Sequence, residues 1–292
     1  MNKEFNKGLL LAGFGSFWWG FFGVLYFKYI SYIGHVELVI HRCLWTTFTL
    51  IITTSFFSKW KIFFKIINNK KNLIYLFFSG ILIFINWAIW IYAIATDRII
   101  DASFGYFIMP ILSVLLGYIF FKEKLNKKRI FSIILVIISI LYLILVSFKS
   151  LPWVGLIVAF TWAFYNPIRK KINIDTDVGL LIESLYILPF ALIAFYLITI
   201  NNYNDFTLSN PPMMIVIFLA GPMTIIPLFL YVKGVEKCGV GPSGMIFYIT
   251  PTLQFLLGYF YYDEPFSVTK LVSFILIWIA VIIYLKDLYE TN

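Results

Sequence analysis

The sequence predicts an all-α membrane protein with ten transmembrane helices in a 5+5 inverted repeat and with the N- and C-termini in the cytoplasm. The 292 residues are 61% hydrophobic and only 13% charged, about half the charged share of a soluble domain. A soluble surface built from this composition would expose large apolar patches. The other two observations are ten long apolar runs and an uneven distribution of Lys and Arg between the connections.

Each run is close to the roughly 20 apolar residues that a membrane-spanning helix needs. The ten predicted spans lie near residues 8–28, 37–57, 73–95, 101–121, 130–148, 152–169, 178–199, 212–233, 240–262 and 268–286. The first run follows a basic start but is too long for the apolar part of a signal peptide, so we expect it to be retained. Cys43 and Cys238 lie in or beside apolar runs, and no disulfide is predicted.

The basic residues predict the orientation. With the N-terminus in the cytoplasm, 18 of the 23 Lys and Arg residues, Arg169 among them, fall in cytoplasmic connections, and four fall on the other side. Cytoplasmic connections of membrane proteins carry this excess. Because the basic residues form short clusters between spans, no nucleic-acid partner is predicted. The expected location is the inner (cytoplasmic) cell membrane, as a multi-pass protein in contact with lipid.

Two segments 141 residues apart, 101–123 and 242–264, share a proline, a Leu-Leu-Gly-Tyr tetrad and a final glutamate. The matched positions are Pro110 with Pro251, 115–118 with 256–259, and Glu123 with Glu264. They predict two five-helix halves, 1–148 and 149–292. An odd number of spans inserts the second half upside down, as in many secondary transporters, whose substrate site lies between the repeats. A duplication retained only for packing is the alternative.

Two charged residues lie within predicted spans at positions related by the same offset. Arg42 lies in the second span and Glu183 in the seventh. A charge inside a span costs free energy and usually faces a cavity or a partner. Arg42 is therefore a candidate anion or carboxylate site on the transport path, and Glu183 a candidate cation or proton site. The alternative is that each side chain snorkels to the membrane interface without a role in transport.

Other polar, aromatic and proline residues at span depth complete the candidates. Asn86 and Asn166 are the strongest, since a buried amide in lipid demands partners, whereas aromatic residues at this depth more often only pack. The remaining path candidates are Trp90, Tyr106, Trp162, Tyr165, Thr224 and Tyr248. The candidate hinges, where a proline interrupts the helix hydrogen bonds, are Pro110, Pro167, Pro222, Pro227 and Pro251.

The sequence motifs of common enzymes and metal sites are missing. The chain has two histidines, His35 and His41, and contains no HExxH, GxSxG or Walker-type motif and no Cys/His cluster with metal spacing. We therefore expect no enzyme activity, no metal, no cofactor and no ATP-driven pumping. Transport would draw on a gradient, with Glu183 as the candidate for proton linkage.

Several short motifs together resemble the EamA-type branch of the drug/metabolite transporter superfamily, and within it RarD-like proteins, along nearly the whole chain. They are Trp19-Gly20, Tyr26-Phe27-Lys28, His41-Arg42, Asn86-Trp87, ASFGYFIMP at 102–110, WAFYNPIRKK at 162–171, Ile182-Glu183-Ser184 and YITPTL at 248–253. Two positions depart from the pattern: Asn166-Pro167 stands where a glycine is usual, and Tyr262-Asp263-Glu264 stands where Gly-Glu is expected.

The resemblance implies a cavity walled by helices 1–4 and 6–9, with helices 5 and 10 at the periphery as a possible homodimer contact. It also implies an amino acid-like, nucleotide-like or drug substrate. The predicted function is a permease that moves such a small molecule by alternating access through a central cavity. A non-transporting membrane scaffold and an enzyme of lipid metabolism are the alternatives.

Overall fold

The computed structural model describes residues 3–96, 99–147, 153–261 and 268–291, and the regular structure in these ranges is helical throughout. An all-α fold is thereby confirmed. Within these ranges, seven helices are long and apolar enough to cross a membrane: Lys3–Tyr29, His35–Phe56, Lys70–Ala93, Lys127–Val146, Thr176–Ile200, Pro211–Cys238 and Leu271–Glu290. A further apolar helix, Gly105–Phe121, is shorter. The count of ten spans, the inverted repeat and the orientation stay predictions.

Fourteen α-helices are present in the described ranges. Those before residue 150 are α1 (Lys3–Trp18), α2 (Val24–Tyr29), α3 (His35–Phe56), α4 (Trp60–Ile67), α5 (Lys70–Ala95), α6 (Ile99–Phe121) and α7 (Lys127–Ser147). Those after it are α8 (Trp153–Ile172), α9 (Thr176–Ile200), α10 (Pro211–Phe218), α11 (Ala220–Cys238), α12 (Val240–Ile246), α13 (Ile249–Phe260) and α14 (Val268–Thr291). The predicted boundary at 148/149 and the Tyr262-Asp263-Glu264 turn lie outside the described residues.

Three of the predicted spans are interrupted rather than continuous. A π-helical turn, Trp19–Gly23, joins α1 to α2. The eighth span breaks at Leu219, between α10 and α11, and the ninth breaks at residues 247–248, between α12 and α13. Each of these two breaks lies just before a candidate hinge, Pro222 or Pro251. Because proline lacks an N–H, the carbonyl four residues earlier has no helical partner, and the helix is weakest there.

The other three candidate hinges behave differently. Pro110, Pro167 and Pro227 lie inside α6, α8 and α11, which continue through them. Their role as hinges stays a prediction. The sequence predicts only a connection between the second and third spans, but the helix α4 forms there. Its neighbour α5 begins where the Asn69 side chain accepts hydrogen bonds from the backbone N–H groups of Lys71 and Asn72, a standard N-cap.

The helices pack in pairs around a shared core. The main contacts are α1 with α11, α6 with α8, α3 with α9, α5 with α8 and α7 with α14. Small residues let some backbones approach closely: a Cβ on Gly15 of α1 would lie 2.7 Å from the Pro227 carbonyl of α11. Close approach at small residues is typical of helix pairs in membranes. These contacts bring α1, α3, α5, α6, α8 and α11–α13 together around the centre.

Candidate functional site

A cavity of about 440 Å³, including the part that is open to solvent, lies where these helices meet. We call it the Arg42 cavity. It is lined by Trp19, Phe27, Arg42, Asn86, Trp87, Trp90, Tyr106, Trp162, Phe247, Thr250 and Gln254. Its mixture of aromatic surface with a few polar groups is typical of small-molecule sites.

One wall of the Arg42 cavity is a cluster of aromatic rings from four segments. The ring centroid of Trp19, on the π-helical turn, lies 4.9 Å from that of Trp162, on α8, and 6.3 Å from that of Phe247, at the break between α12 and α13. Tyr106, on α6, lies 5.6 Å from Phe247. The π-helical turn and the break between α12 and α13 therefore each place an aromatic side chain in the cavity.

The charged residue of the cavity lining is Arg42, on α3. Its side chain is only 3% exposed, and its Cζ atom lies 4.7 Å from the ring centroid of Trp87, 4.8 Å from that of Phe27 and 5.7 Å from that of Trp90. Buried as they are, Nε and Nη1 of Arg42 find no acceptor among the described residues. The guanidinium is thus buried among aromatic side chains.

Asn86 fixes the position of α5 against α8. Its amide nitrogen donates to the Val158 carbonyl and to Oγ1 of Thr161, both at 3.0 Å. The side chain is 5% exposed and lines the Arg42 cavity. The expectation that a buried amide finds partners across helices fits this geometry.

A second cavity of about 280 Å³ lies next to the first. We call it the Glu183 cavity. Its lining comprises Thr46, Leu50, Ile83, Trp87, Leu180, Glu183, Ser184, Ile187, Ile225 and Leu228. Trp87 lines both cavities, so this one side chain stands between Arg42 on one side and Glu183 on the other.

The Glu183 carboxylate, on α9, is held by donors from two other helices and is fully buried. Oε1 accepts hydrogen bonds from Oγ of Ser79 and, at 3.4 Å, from Nη1 of Arg169, while Oε2 accepts one from the hydroxyl of Tyr165 at 3.1 Å. Nη2 of Arg169 also donates to the Thr176 carbonyl. Glu183 is therefore one partner of a buried ion pair.

Arg169, which the sequence counts among the basic residues of the cytoplasmic side, is a buried residue in the structure. Arg169 is 1% exposed, because α8 continues to Ile172 and carries the side chain inward toward α9. Gly179 leaves the room that the guanidinium occupies, since a Cβ there would overlap it. In the triplet Arg169-Lys170-Lys171, arginine is the residue suited to a buried ion pair, because its planar donors match a carboxylate. That is the signal that sequence reasoning missed.

Polar contacts join several helix ends next to the Glu183 cavity, and we call this the bridged end. Lys59, after α3, pairs with Asp175 at 3.1 Å and with Asp177 at 2.7 Å, at the start of α9. Burial disfavours the charge of Lys59, but the hydrogen bonds to Asp177 and Asp175 prevail and raise its pKa. Thr176 donates to Glu236, and Lys237 pairs with Glu4, which ties α9 to α11 and α11 to α1.

The contacts of Glu123 form a second part of the bridged end. Its carboxylate accepts from the backbone N–H groups of Val240 and Gly241 at 2.8 and 2.9 Å and from Nζ of Lys170 at 2.9 Å. The end of α6 is thereby joined to the start of α12 and the end of α8. A carboxylate at a helix N-terminus also interacts favourably with the helix dipole.

Four path candidates line neither of the two cavities: Asn166, Tyr248, Thr224 and Tyr165. The amide nitrogen of Asn166 donates to the Trp162 carbonyl within α8, and the Tyr248 hydroxyl donates to the Phe107 carbonyl of α6 at 2.8 Å. Thr224 is fully buried in α11. Tyr165 contacts Glu183, which lines the Glu183 cavity. The other path candidates line the Arg42 cavity: Arg42, Asn86, Trp90, Tyr106 and Trp162.

The sequence reasoning also missed Phe27, Gln254 and Ser79. Gln254 is the single glutamine of the chain and stands in an apolar run, which was an available signal. His41 has the contacts of a packing residue: it is fully buried, and Nε2 lies 3.3 Å from Oε1 of Glu37. Glu37 in turn accepts from the backbone N–H groups of Asp205 and Phe206 and so anchors the loop between α9 and α10.

Comparison with known proteins decides the family. The sequence model of the EamA-like transporter family matches residues 6–145 and again 150–286. This chain belongs to the EamA-like transporter family. Protein RarD of Escherichia coli K12 is 34% identical over 99% of this chain and 97% of its own length. The uncharacterized transporter YojE of Bacillus subtilis is 32% identical over 97% and 95%, respectively. The chain is thus RarD-like, as the motifs predicted.

Two more distant comparisons extend this result. The chloramphenicol-sensitive protein RarD of Pseudomonas aeruginosa is 22% identical over 88% of this chain and 87% of its own length. A solved protein structure superposes with a TM-score of 0.68 over 95% of this chain and 96% of the other, at 13% identity, and shows the fold alone. The family and the seven long apolar helices establish a multi-pass membrane protein of the transporter class. Relatives named as transporters point away from an enzyme.

Proposed function

We propose that this EamA-like protein is a permease of the inner membrane that moves a small metabolite or drug by alternating access. The observation that carries the proposal is the pair of cavities separated by Trp87, of which the Glu183 cavity lies against the bridged end. A transporter that alternates needs a central site with a closure on one side of it. A scaffold needs no central cavity with a buried charge.

The proposal includes ten spans in a 5+5 inverted repeat. Two helices of the second half begin 141 residues after their counterparts in the first: His35 and Thr176, Lys70 and Pro211. The family model also matches the chain twice, once in each half. The Tyr248–Phe107 hydrogen bond joins two positions with the same separation, as expected for residues near a pseudo-two-fold axis. These agreements support the halves 1–148 and 149–292.

The proposed orientation places the bridged end in the cytoplasm. Its residues include Lys59, Lys170 and Lys237, in connections that the basic-residue count assigns to the cytoplasmic side. The Arg42 cavity then belongs to the outward side, and the bridged end is the inner closure. Pro222 and Pro251, after the two breaks, are the positions where rearrangement costs the fewest helix hydrogen bonds.

Glu183 is the proposed site of proton coupling. The ionised carboxylate holds Arg169, and protonation would leave that buried guanidinium without its counter-charge. The interactions of Arg169 with α9 would weaken, and with them the inner closure. Proton binding and opening toward the cytoplasm are linked in this way.

Uptake into proteoliposomes tests the proposal. The purified chain is reconstituted and offered amino acids, nucleotide metabolites, small aromatic carboxylic acids and chloramphenicol, the last because a relative's name refers to it, with and without an inward proton gradient. We expect gradient-stimulated uptake of at least one compound and its loss in Glu183→Gln. Glu37→Gln, which changes a buried carboxylate outside both cavities, is the matched control and should keep the stimulation.

Two results would contradict the proposal at different points. Uptake in Glu183→Gln that still responds to the proton gradient would remove Glu183 from the coupling step. No flux of any compound, from protein that is folded by its thermal unfolding curve, would favour a non-transporting role.

A further inference from the structure

We propose that the Arg42 cavity is a binding site for monocarboxylates that carry a planar apolar group, such as arylalkanoic acids. The inference names the substrate class of the proposed permease and so rests on that function for its transport meaning. The binding site itself is argued from the cavity alone. Its elements are a surplus of hydrogen-bond donors, a single positive charge and an aromatic wall.

The donor surplus is found on two side chains that line the cavity. Nε and Nη1 of Arg42 and the indole Nε1 atom of Trp87 are buried and lack acceptors within the described part of the chain. A buried donor without an acceptor is costly, and a buried unpaired cation more so. Such a site is complementary to a ligand that is anionic and offers acceptors only.

The aromatic neighbours of Arg42 leave its donors available. Trp87 and Phe27 lie within 5 Å of Cζ as cation–π partners. The rings of Trp87 and Phe27 carry no carbonyl or carboxylate acceptor, so the N–H groups, which lie in the plane of the guanidinium, stay available. That plane suits a carboxylate, which arginine binds through two parallel hydrogen bonds. The aromatic residues therefore orient the cation without neutralising it.

The charge of the lining selects a monoanion. Arg42 is the one charged side chain among the described residues that line this cavity. A single carboxylate would balance it. A phosphate monoester would bring a second negative charge, and an amino-acid zwitterion an ammonium group, and neither would find a counter-charge in the lining. Uncompensated charge in a desolvated site is strongly unfavourable.

The aromatic wall selects the rest of the ligand. The rings of Trp19, Trp162, Phe247 and Tyr106 line the cavity together, and the centroid separations of 4.9 to 6.3 Å between them are those of packed rings. A planar apolar group gains both area burial and ring–ring contact against such a surface. A ligand with the carboxylate at Arg42 and an aryl group at this wall uses both features.

Calorimetric titration of the detergent-solubilised full chain at pH 7 tests the inference. The probes are 3-phenylpropanoate, its neutral amide 3-phenylpropanamide, phenylalanine and phenyl phosphate. We expect the acid to bind about 30-fold or more tightly than the amide, since the acid alone completes a buried charge pair. Phenylalanine and phenyl phosphate should both bind more weakly than the acid.

Two variants locate the effect. Arg42→Gln should bind acid and amide alike, because it removes the charge that distinguishes them. Arg129→Gln is the matched control: Arg129 is also buried, pairs with Asp287 at 2.8 Å and lies 5.8 Å from the Tyr284 ring, on α7 away from the cavity. It should keep the preference for the acid. The comparison of acid with amide on the unmodified chain does not depend on the folding of either variant.

Each outcome bears on one claim. Equal affinity of acid and amide, or tighter binding of phenylalanine or phenyl phosphate, would overturn the monocarboxylate site and leave the proposed transport intact. Tight binding of the acid without uptake of any compound into proteoliposomes would overturn the proposed function and leave the binding site intact.

Discussion

The two charges at the centre of the molecule differ in what surrounds them. Glu183 has a buried cation, Arg169, and two hydroxyl donors, whereas Arg42 has aromatic rings beside it. A buried ion pair adds little net stability, because desolvation offsets the attraction, but removing one partner leaves a costly unpaired charge. The Glu183–Arg169 pair is therefore suited to a switch and Arg42 to a ligand.

This difference predicts a non-additive effect on stability. Arg169→Met and Glu183→Gln should each lower the free energy of unfolding, by about 3–5 kcal/mol for Arg169→Met, since each leaves one partner without the other. The double variant should be more stable than Arg169→Met alone. Thermal unfolding in detergent measures all three. If the two losses simply add, the residues do not act as a pair.

At the residue scale, the sequence predicts how deep a residue lies in its span better than which way its side chain points. Arg42, Asn86, Trp90, Tyr106 and Trp162 were chosen as polar or aromatic residues at span depth, and they line one cavity. Chosen by the same criterion, Asn166, Thr224 and Tyr248 line neither cavity. A single run of apolar residues does not reveal which face of a helix meets its neighbours, because nearly every position is apolar, whether it faces lipid or protein.

Helix pairs are held close by small residues at defined positions. Gly15 of α1 faces the backbone of α11, where a Cβ would lie 2.7 Å from the Pro227 carbonyl. Gly13, on the same helix, would place a Cβ no nearer than 3.7 Å from Ile246. The two glycines share a helix and differ only in the room beside them.

Alanine at these two positions should therefore have opposite effects. Gly15→Ala should destabilise by about 1–3 kcal/mol through overpacking. Gly13→Ala should be neutral or stabilise by up to about 1 kcal/mol through helix propensity. The thermal midpoint of each purified variant is the measurement. Equal midpoints would mean that α1 and α11 do not approach as described.

At the element scale, most helices were predictable from apolar runs, and the interruptions were not. The π-helical turn Trp19–Gly23 leaves no trace in an apolar run, because the same residues fit an α-helix. Breaks lie just before Pro222 and Pro251, whereas Pro110, Pro167 and Pro227 look the same in sequence and lie in continuous helices. Whether a proline breaks a helix depends on the tertiary contacts that replace the lost hydrogen bond.

The whole molecule has an order along its axis. The loop held by Glu37 lies at one end; the Arg42 cavity, Trp87, the Glu183 cavity and the bridged end follow. If the closure at the bridged end moves, solvent and substrate reach the interior positions from each side of the membrane in turn. The central claim is that the Arg42 cavity is exposed to each side of the membrane in turn.

Cysteine accessibility measures this exposure directly. In a chain with Cys43→Ala and Cys238→Ala, Gln254→Cys places one thiol in the Arg42 cavity, Ser209→Cys marks the loop between α9 and α10, and Lys65→Cys marks α4. Membrane-impermeant maleimide is applied to right-side-out and inside-out vesicles. We expect labelling of Ser209→Cys from outside only, of Lys65→Cys from inside only, and of Gln254→Cys from both. Labelling of Gln254→Cys from one side under every gradient and ligand condition would contradict it.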